Sequence, residues 1–300
     1  SLQDLGAPDR HGGAMDTTLT TTPTTTGHDR RDAVATPDGH DWETAGAAWG
    51  HRARDWACLF EHYAIETILS IFDGVGARSG TSLLDIACGS GLAVRLADAR
   101  GVRTAGIDAA ASLVDIARAR TPEADLRVGT MFELPWEDET FDAVTAINGI
   151  WGGCEAALDE AHRVLEPGGR IGVSFWGDQK PLDLRTCFAA FARNSPADHL
   201  AGMKRTNDIA RPGVAEGMLE AAGFEIVDRD HRLSVLEWPD DETAWRAISS
   251  VGPAVPALEH VGVAVLRPLV LESLARCRDE YGIYRFVNRQ EFVIAEKARD

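Results

Sequence analysis

The chain has 300 residues, of which 44% are apolar and 26% charged, which is the composition and length of a globular protein with one large core. Its formal net charge is −17, because 47 acidic residues outnumber 30 basic ones. No cluster of Lys and Arg marks a surface for nucleic acid or for an anionic membrane, so we expect neither partner.

The five cysteines are odd in number and none forms a C-x-x-C pair. This number and spacing of cysteines favours reduced thiols, a cytoplasmic protein and no metal site. No apolar run reaches the length of a membrane span, and the first residues lack the apolar core of a signal peptide. Lysine is scarce, while Ala and Arg are abundant, a composition typical of GC-rich bacterial genomes.

The first 38 residues are rich in Thr, Gly, Asp and Pro, and we expect this tail to be disordered because it offers little apolar surface to bury. A folded domain is expected over residues 39–300, beginning with helices over 39–75. Aromatic residues recur there every seven positions, at Trp42, Trp49, Trp56 and Tyr63, and therefore form a stripe along a helix. Gly46 and Gly50 favour a break into two shorter helices. Either the stripe packs on the domain or part of it covers a ligand.

The run from Leu83 to Leu92 has the pattern of a buried parallel strand, a tight loop of small residues and a helix start. The strand ends at Asp85, and the loop contains Gly89 and Gly91. Small residues let a ligand approach the backbone, where the N–H groups of a helix N-terminus gather. Asp108 ends the next apolar run, where a doubly wound sheet places the carboxylate that binds ribose hydroxyls. The sequence therefore predicts a nucleoside site.

Dinucleotide sites use G-x-G-x-x-G, whereas the pattern that begins at Gly89 has Val94 in the third glycine's place. No phosphate-binding G-x-x-x-x-G-K-[ST] is present. The run instead resembles motif I of the class I S-adenosylmethionine-dependent methyltransferases, D-x-G-x-G-x-G, with Ala87 in place of the first glycine. Segments 126–136, 141–148 and 163–170 resemble the family's later blocks, in the same order. The chain is similar to the small-molecule branch related to the quinone-biosynthesis C-methyltransferases.

The alternation of apolar runs and helical patterns predicts an α/β fold with a doubly wound, mostly parallel, Rossmann-like sheet and helices on both faces. The resemblance implies seven strands, the last antiparallel, and a helical lid over residues 178–211 and 239–280 that carries the substrate segments. The strands are expected near residues 82–87, 103–107, 125–128, 141–147, 170–176, 224–227 (continuing toward Leu236) and 284–295.

The resemblance also implies which residues bind the cofactor, S-adenosylmethionine, and its product, S-adenosylhomocysteine. Asp85 orients the loop and the methionine amine, and the backbone of Ala87, Gly89 and Gly91 contacts the cofactor. A carboxylate has two acceptor oxygens, which match the two ribose hydroxyls, so that role falls to Asp108. The residue after it, Ala109, is expected to pack on adenine.

On the adenine side, Thr130 stands where many relatives carry Asp, and its hydroxyl can still accept a hydrogen bond. Met131 and Phe132 are expected to supply apolar surface, although Met131 also suits a core position. Asn148 follows the fourth strand and could hold the methionine amine or the substrate. From the resemblance, an N-terminal helix covers the methionine end of the cofactor.

Three residues of that helical segment are the candidates for this cover: Trp49, Arg52 and Trp56, with Arg52 paired to the cofactor carboxylate. Trp151 and Trp176 are the substrate-binding candidates, and Trp151 can equally be a packing residue. The stretch from Gly149 to Gly153 replaces a more usual His-containing stretch. His51, His62 and Tyr63 are therefore the candidate catalytic residues, although a lone His on a helix is usually only solvated.

The sequence thus predicts a bacterial methyltransferase that acts on a small, apolar or aromatic molecule by in-line SN2 transfer, in secondary or quinone-type metabolism. An S-adenosylmethionine-binding protein with a cyclase-like or regulatory role is the alternative, and a nicotinamide oxidoreductase is the least favoured. The only partner expected is the small-molecule substrate, and a homodimer is left open.

Overall fold

The computed structural model describes residues 42–177, 180–197 and 207–299. The chain divides into two units, residues 1–33 and 34–300, and every described residue lies in the second. The tail predicted over residues 1–38 lies outside the described residues, as do parts of the predicted lid segment 178–211.

Seven strands form a single sheet in the described part of the chain. They are β1 (Ser82–Ile86), β2 (Arg103–Asp108), β3 (Asp125–Val128), β4 (Phe141–Ile147), β5 (Leu165–Trp176), β6 (Phe224–Trp238) and β7 (Tyr284–Lys297). Their order across the sheet is β3-β2-β1-β4-β5-β7-β6. The strands β1 to β5 pair in parallel, and β7 is antiparallel to both of its neighbours. The predicted doubly wound sheet with an antiparallel last strand is confirmed, although β5 begins earlier than expected.

The helices at the start of the described chain are α1 (Trp42–Gly50), α2 (Ala53–Asp55) and α3 (Ile65–Val75). A π-helical turn (Trp56–Phe60) and a 3-10 turn (Glu61–Ala64) join α2 to α3. The predicted break into shorter helices occurs at Gly50, whereas Gly46 lies within α1. Trp49 still contacts Trp56, with ring centroids 5.2 Å apart, so the stripe stays together across the break.

The remaining helices follow the strands or cover the sheet. They are α4 (Leu92–Asp98), α5 (Ala111–Arg120), α6 (Glu155–Val164), α7 (Arg185–Arg193), α8 (Val214–Ala221), α9 (Asp241–Ile248), α10 (Val255–Val261) and α11 (Val263–Leu274). Short 3-10 turns lie at Asn207–Ala210, Gly252–Ala254 and Ala275–Cys277. The helices α7 and α9 to α11 fall within the two segments predicted to form the lid.

The sheet carries a separate apolar core on each face, because successive strand residues point to opposite sides. On one face Leu83 and Ile294 pack with α3 and with the helices α7 and α9 to α11. On the other face Leu84 and Val293 pack with α6 and α8. Helices therefore lie on both faces, as predicted, and the first face is covered by the predicted lid segments and the N-terminal helices.

Among the described residues, no helix combines the length and the apolar composition that crossing a membrane requires. Within the same residues, no group of three or more His, Cys, Asp or Glu side chains is placed to hold a metal ion.

Candidate active site

The loop after β1 holds three left-handed residues within five positions: Ala87 (φ 56°), Gly89 (φ 54°) and Gly91 (φ 79°). A residue with a side chain rarely adopts this conformation, which explains why the motif resembled here usually has glycine at the first of these positions. Gly149 leaves room for Ala87, because a Cβ atom at Gly149 would lie only 2.6 Å from the Ala87 Cβ atom. The loop therefore keeps its path despite the substitution.

Asp108 joins this loop to the end of β2. Its Oδ2 accepts a hydrogen bond of 2.8 Å from the backbone N–H of Gly89, and its Oδ1 accepts one of 2.8 Å from the N–H of Ala110. Burial raises the pKa of Asp108, although the two N–H groups lower it in part. Each oxygen has a second lone pair, so the carboxylate can accept two further hydrogen bonds.

Asp85 lies beside Asp108 at the carboxyl edge of the sheet and is only 2% exposed. Its Oδ1 accepts a hydrogen bond of 2.6 Å from the hydroxyl of Thr145. Burial raises the pKa of Asp85 to about 7, the Thr145 hydrogen bond lowers it, and the charge of Asp108 raises it further. Within the described residues, no Lys or Arg side chain forms a salt bridge with Asp85. Its carboxylate therefore suits a cationic group such as the amine of a bound amino acid.

The N-terminal helices lie directly against this loop. A Cβ atom at Gly46 in α1 would lie 2.2 Å from the carbonyl oxygen of Ala109, and the Ser112 hydroxyl donates to the carbonyl of Gly50 at 2.9 Å. The Trp56 indole nitrogen lies 3.8 Å from the Cβ position of Gly89. The structure thus places Trp56 against the predicted cofactor loop. It places α1 against Ala109, the residue expected to pack on adenine.

The other two residues of the predicted cover have contacts outside the loop. The indole of Trp49 lies against Gly252, whose Cβ position is 2.8 Å from the indole nitrogen. Arg52 pairs with Asp55 of its own segment at 3.6 Å and is 31% exposed. Trp49 contacts Trp56, which lies against the loop. The ion pair of Arg52 is weak because solvent screens it.

An ion pair between the buried Glu61 and the half-buried Arg120 clamps the N-terminal segment to the loop, and sequence reasoning missed this contact. Arg120 Nη1 donates to Glu61 Oε1 at 2.6 Å and to the carbonyl of Ser90 at 3.0 Å. Its Nη2 donates to the carbonyl of Ala57 at 3.0 Å, and the Ser90 hydroxyl donates to Glu61. No local pattern marks this pair, since its members lie on separate elements.

On the predicted adenine side, the Thr130 hydroxyl accepts a hydrogen bond of 3.2 Å from the backbone N–H of Phe132. Met131 is 9% exposed and belongs to the apolar core that includes Ile107 and Ile150, while Phe132 packs on the edge of the same core. Met131 thus fills a core position at this end of the sheet. Its contact with adenine stays a prediction.

Asn148 lies at the end of β4 in a left-handed conformation, with φ 53°. Its backbone N–H donates to the carbonyl (3.0 Å) and to the hydroxyl (3.2 Å) of Ser174, and its side-chain Nδ2 donates to the Tyr63 hydroxyl. Tyr63 in turn stacks on Trp176, with ring centroids 4.6 Å apart and an interplanar angle of 29°. The structure therefore brings one catalytic, one cofactor and one substrate candidate into a single group.

The other substrate candidate, Trp151, packs against the core on the opposite face of the sheet from Trp176. Trp151 follows β4 and Trp176 ends β5, and these two strands end at the same edge of the sheet. Their rings pack against different faces, so only Trp176 lies with Tyr63.

The two histidines predicted as catalytic lie outside this group. Both ring nitrogens of His51 lie against carbonyl oxygens, Nδ1 at 2.7 Å from Ala48 and Nε2 at 2.9 Å from Ser249. His62 is exposed to solvent on the 3-10 turn. Tyr63 is 5% exposed, and burial raises the pKa of its phenol. Of the three catalytic candidates, only Tyr63 contacts the other candidate residues.

Residues 84–173 match the family model of a methyltransferase domain. A curated relative, the demethylmenaquinone methyltransferase of Renibacterium salmoninarum, is 28% identical over 185 residues, which are 61% of this chain and 70% of that protein. The chain therefore contains a methyltransferase domain and is an S-adenosylmethionine-dependent methyltransferase. Its methyl donor is accordingly S-adenosylmethionine, and its acceptor is a small molecule.

Other relatives show how widely this methyltransferase fold is used. The malonyl-[acyl-carrier protein] O-methyltransferase of Dechloromonas aromatica is also 28% identical, over 61% of this chain and 67% of that protein. The crystal structure of the [4+2]-cyclase SpnF is similar in fold, with a TM-score of 0.51 and 20% identity over 81% of this chain and 85% of that chain. Similarity alone therefore does not identify the acceptor of this methyltransferase. The acceptor has to be inferred from the residues of its own site.

Proposed function

We propose that this methyltransferase transfers its methyl group in line to a planar, apolar or aromatic small molecule. The observation that carries the proposal is the contact of Tyr63 with both Asn148 and Trp176, at the carboxyl edge beside Asp85. This group offers an aromatic wall and a polar amide next to the expected reacting methyl. A quinone-type ring fits such a wall, in keeping with the demethylmenaquinone methyltransferase among the relatives.

The residues at the edge of the sheet fit the cofactor. In our proposal Asp108 binds the ribose hydroxyls with its free lone pairs, and the backbone of Ala87, Gly89 and Gly91 lies along the methionine portion. The buried carboxylate of Asp85 binds the methionine ammonium, and Arg52 binds the methionine carboxylate. Thr130, Met131, Phe132 and Ala109 surround adenine.

The N-terminal helices and the helices α7 and α9 to α11 form the proposed lid over the acceptor, within a domain that extends over residues 39–300. Methyl transfer from a sulfonium needs chiefly alignment of the reacting atoms and exclusion of water. Trp49 and Trp56 close the cofactor side, and Trp176 aligns the acceptor ring.

Tyr63 is the side chain placed to assist the acceptor. A tyrosine phenol is protonated at neutral pH, and burial raises the pKa of Tyr63 further, so it acts as a hydrogen-bond donor. The transfer then suits an acceptor acidic enough to lose its own proton before the methyl group arrives. His51 and His62 have no part in this proposal, since neither contacts the group around Asn148.

The first test is a calorimetric titration with S-adenosylhomocysteine, comparing the wild type with Asp108→Ala. We expect micromolar binding that the substitution abolishes. Production of S-adenosylhomocysteine from S-adenosylmethionine over a panel of aromatic acceptors then tests the transfer. Absence of binding by the wild type would overturn the assignment of this site.

A non-methylating role, such as cyclisation of a bound substrate, is the second candidate. It is favoured by the lack of a basic side chain in the group formed by Tyr63, Asn148 and Trp176. Turnover of S-adenosylmethionine with any acceptor of the panel would exclude this role. Conversion of an acceptor without loss of S-adenosylmethionine would support it.

A further inference from the structure

A row of fully buried polar side chains crosses the lid-covered face of the sheet near its carboxyl edge. It begins at Asp85 on β1 and continues with Thr145 on β4, Ser174 on β5 and Gln290 on β7, with Asn288 beside it. Each of these side chains is at most 2% exposed. Buried polar groups in a sheet core are costly unless they are paired, so the row calls for an explanation.

The row shares its face with the aromatic group described above. Alternation along β7 places Asn288 and Gln290 on the same side as Phe292, which belongs to the core under the lid. Gln290 pairs in register with Trp176 on β5, and Ser174 precedes Trp176 by two positions on the same face. The amide of Gln290 therefore lies in the layer between the sheet and the lid helices.

The hydroxyl of Ser174 links the backbone of Asn148 to the amide side chain of Gln290. The backbone N–H of Asn148 lies 3.2 Å from Ser174 Oγ, and Nε2 of Gln290 lies 3.3 Å from the same oxygen. Among the described residues, Oδ1 of Asn148 and Oε1 of Gln290 are buried and have no protein hydrogen-bond partner. Turning either amide by 180° exchanges its oxygen and nitrogen but still leaves one of its atoms unpaired.

Unpaired amide atoms of this kind destabilise the free protein, so a core built only for stability would replace them with apolar side chains. Here two residues with such atoms, Asn148 and Gln290, both contact the Ser174 hydroxyl next to the stacked Trp176, and together they form a site for a polar group on a flat ring. A hydroxyl is the group that fits once one of the two amides is turned, since it then donates to the free oxygen of one amide and accepts from the free N–H of the other.

We propose that the amides of Asn148 and Gln290 bind a hydroxyl group of an aromatic acceptor whose ring lies against Trp176. This inference rests on the proposed function and adds the substrate class, a hydroxyl-bearing planar ring, together with Gln290 as a residue that determines specificity. Tyr63 then contacts the same acceptor from the lid side. A trapped water molecule that pairs the two amides is the competing explanation.

The test compares the binding of 1-naphthol and of 1-methoxynaphthalene to the protein saturated with S-adenosylhomocysteine, followed by calorimetry. A site that hydrogen-bonds a hydroxyl discriminates strongly against an analogue without it, so we expect the wild type to favour 1-naphthol at least about tenfold. Gln290→Leu should reduce this preference below about threefold. Thr67→Val in α3 is the matched control, because the Thr67 hydroxyl, like the Gln290 amide oxygen, is buried without a protein partner; this variant should keep the preference.

Thermal unfolding of the free proteins separates binding from structure. Gln290→Leu should melt at or above the temperature of the wild type, because it removes an unpaired amide. Equal affinity of the wild type for the two probes would overturn the inference. So would a Gln290→Leu variant that melts lower and keeps the preference, which is the result expected for a trapped water. Gln290→Met serves as a second variant of similar size. Failure to bind S-adenosylhomocysteine would instead overturn the proposed function.

Discussion

Gly89 and Asp108 are joined by a hydrogen bond of 2.8 Å from the backbone N–H of the first to Oδ2 of the second. This bond ties the loop after β1 to the end of β2, so the two parts of the proposed cofactor site form one rigid unit. The orientation of the carboxylate is set before any ligand arrives, since Ala110 holds its other oxygen. Such preorganisation lowers the cost of binding a diol.

Asp108→Asn should weaken S-adenosylhomocysteine binding by about tenfold to a hundredfold, because a charged acceptor of two ligand hydroxyls is replaced by a neutral one. The calorimetric titration measures this change directly. Asp115→Asn on the exposed side of α5 is the control, and it should bind as the wild type does. An Asp108→Asn variant with unchanged affinity would refute the ribose role.

Asp85→Asn should stabilise the free protein at pH 8 and weaken cofactor binding. In the folded state the pKa of Asp85 is about 7, above its ordinary value of 3.8. Between these two values the folded state binds more protons than the unfolded state, so stability falls as pH rises toward 7 and stays low above it. The loss at pH 8 is on the order of 4 kcal/mol, and the substitution should remove it.

Denaturant unfolding between pH 5 and pH 8 checks this prediction. The wild type should lose stability across this range, and Asp85→Asn should lose less. Thr145 can still donate its hydrogen bond to the carbonyl of the asparagine, so the fold is kept. Parallel pH profiles for the two proteins would contradict the prediction.

Gly149→Ala should distort the loop after β1, because its new Cβ atom would lie 2.6 Å from the Ala87 Cβ atom. Overpacking of this kind costs about 1–3 kcal/mol, and the displaced loop should also bind S-adenosylhomocysteine less well. Ala87→Gly in the same chain should restore part of both losses. Single and double variants, compared by thermal unfolding and calorimetry, measure the coupling, and additive effects would show that the two residues are independent.

Arg120→Gln should detach the N-terminal segment from the cofactor loop, because it leaves Glu61 buried without its partner. Breaking a buried ion pair in this way costs about 3 kcal/mol or more. Limited proteolysis should then cleave within residues 42–64 faster than in the wild type. Arg267→Gln, which breaks the exposed pair with Glu242, is the control and should leave the cleavage rate unchanged. Equal cleavage of the Arg120 variant would show that the clamp is dispensable.

The sequence by itself determined the order of the strands along the chain and the place of the cofactor loop. Strand β1, its small-residue loop and Asp108 carry local signals, since apolar runs, left-handed positions and helix starts depend on neighbouring residues. The break at Gly50 is local in the same sense. For this reason the predicted bounds of most strands agree with the structure closely.

Only the tertiary structure decided which distant residues meet. Glu61 reaches Arg120 and Gln290 reaches Ser174 because helix packing and sheet order bring them together, and neither pair has a spacing that a sequence pattern could reveal. Trp151 follows β4 and Trp176 ends β5, so both lie at the same edge of the sheet. They nevertheless pack against opposite faces. Alternation along a strand shows which residues share a face of the sheet. Packing across the whole domain decides which helices cover that face, and therefore which side chains contact its buried residues.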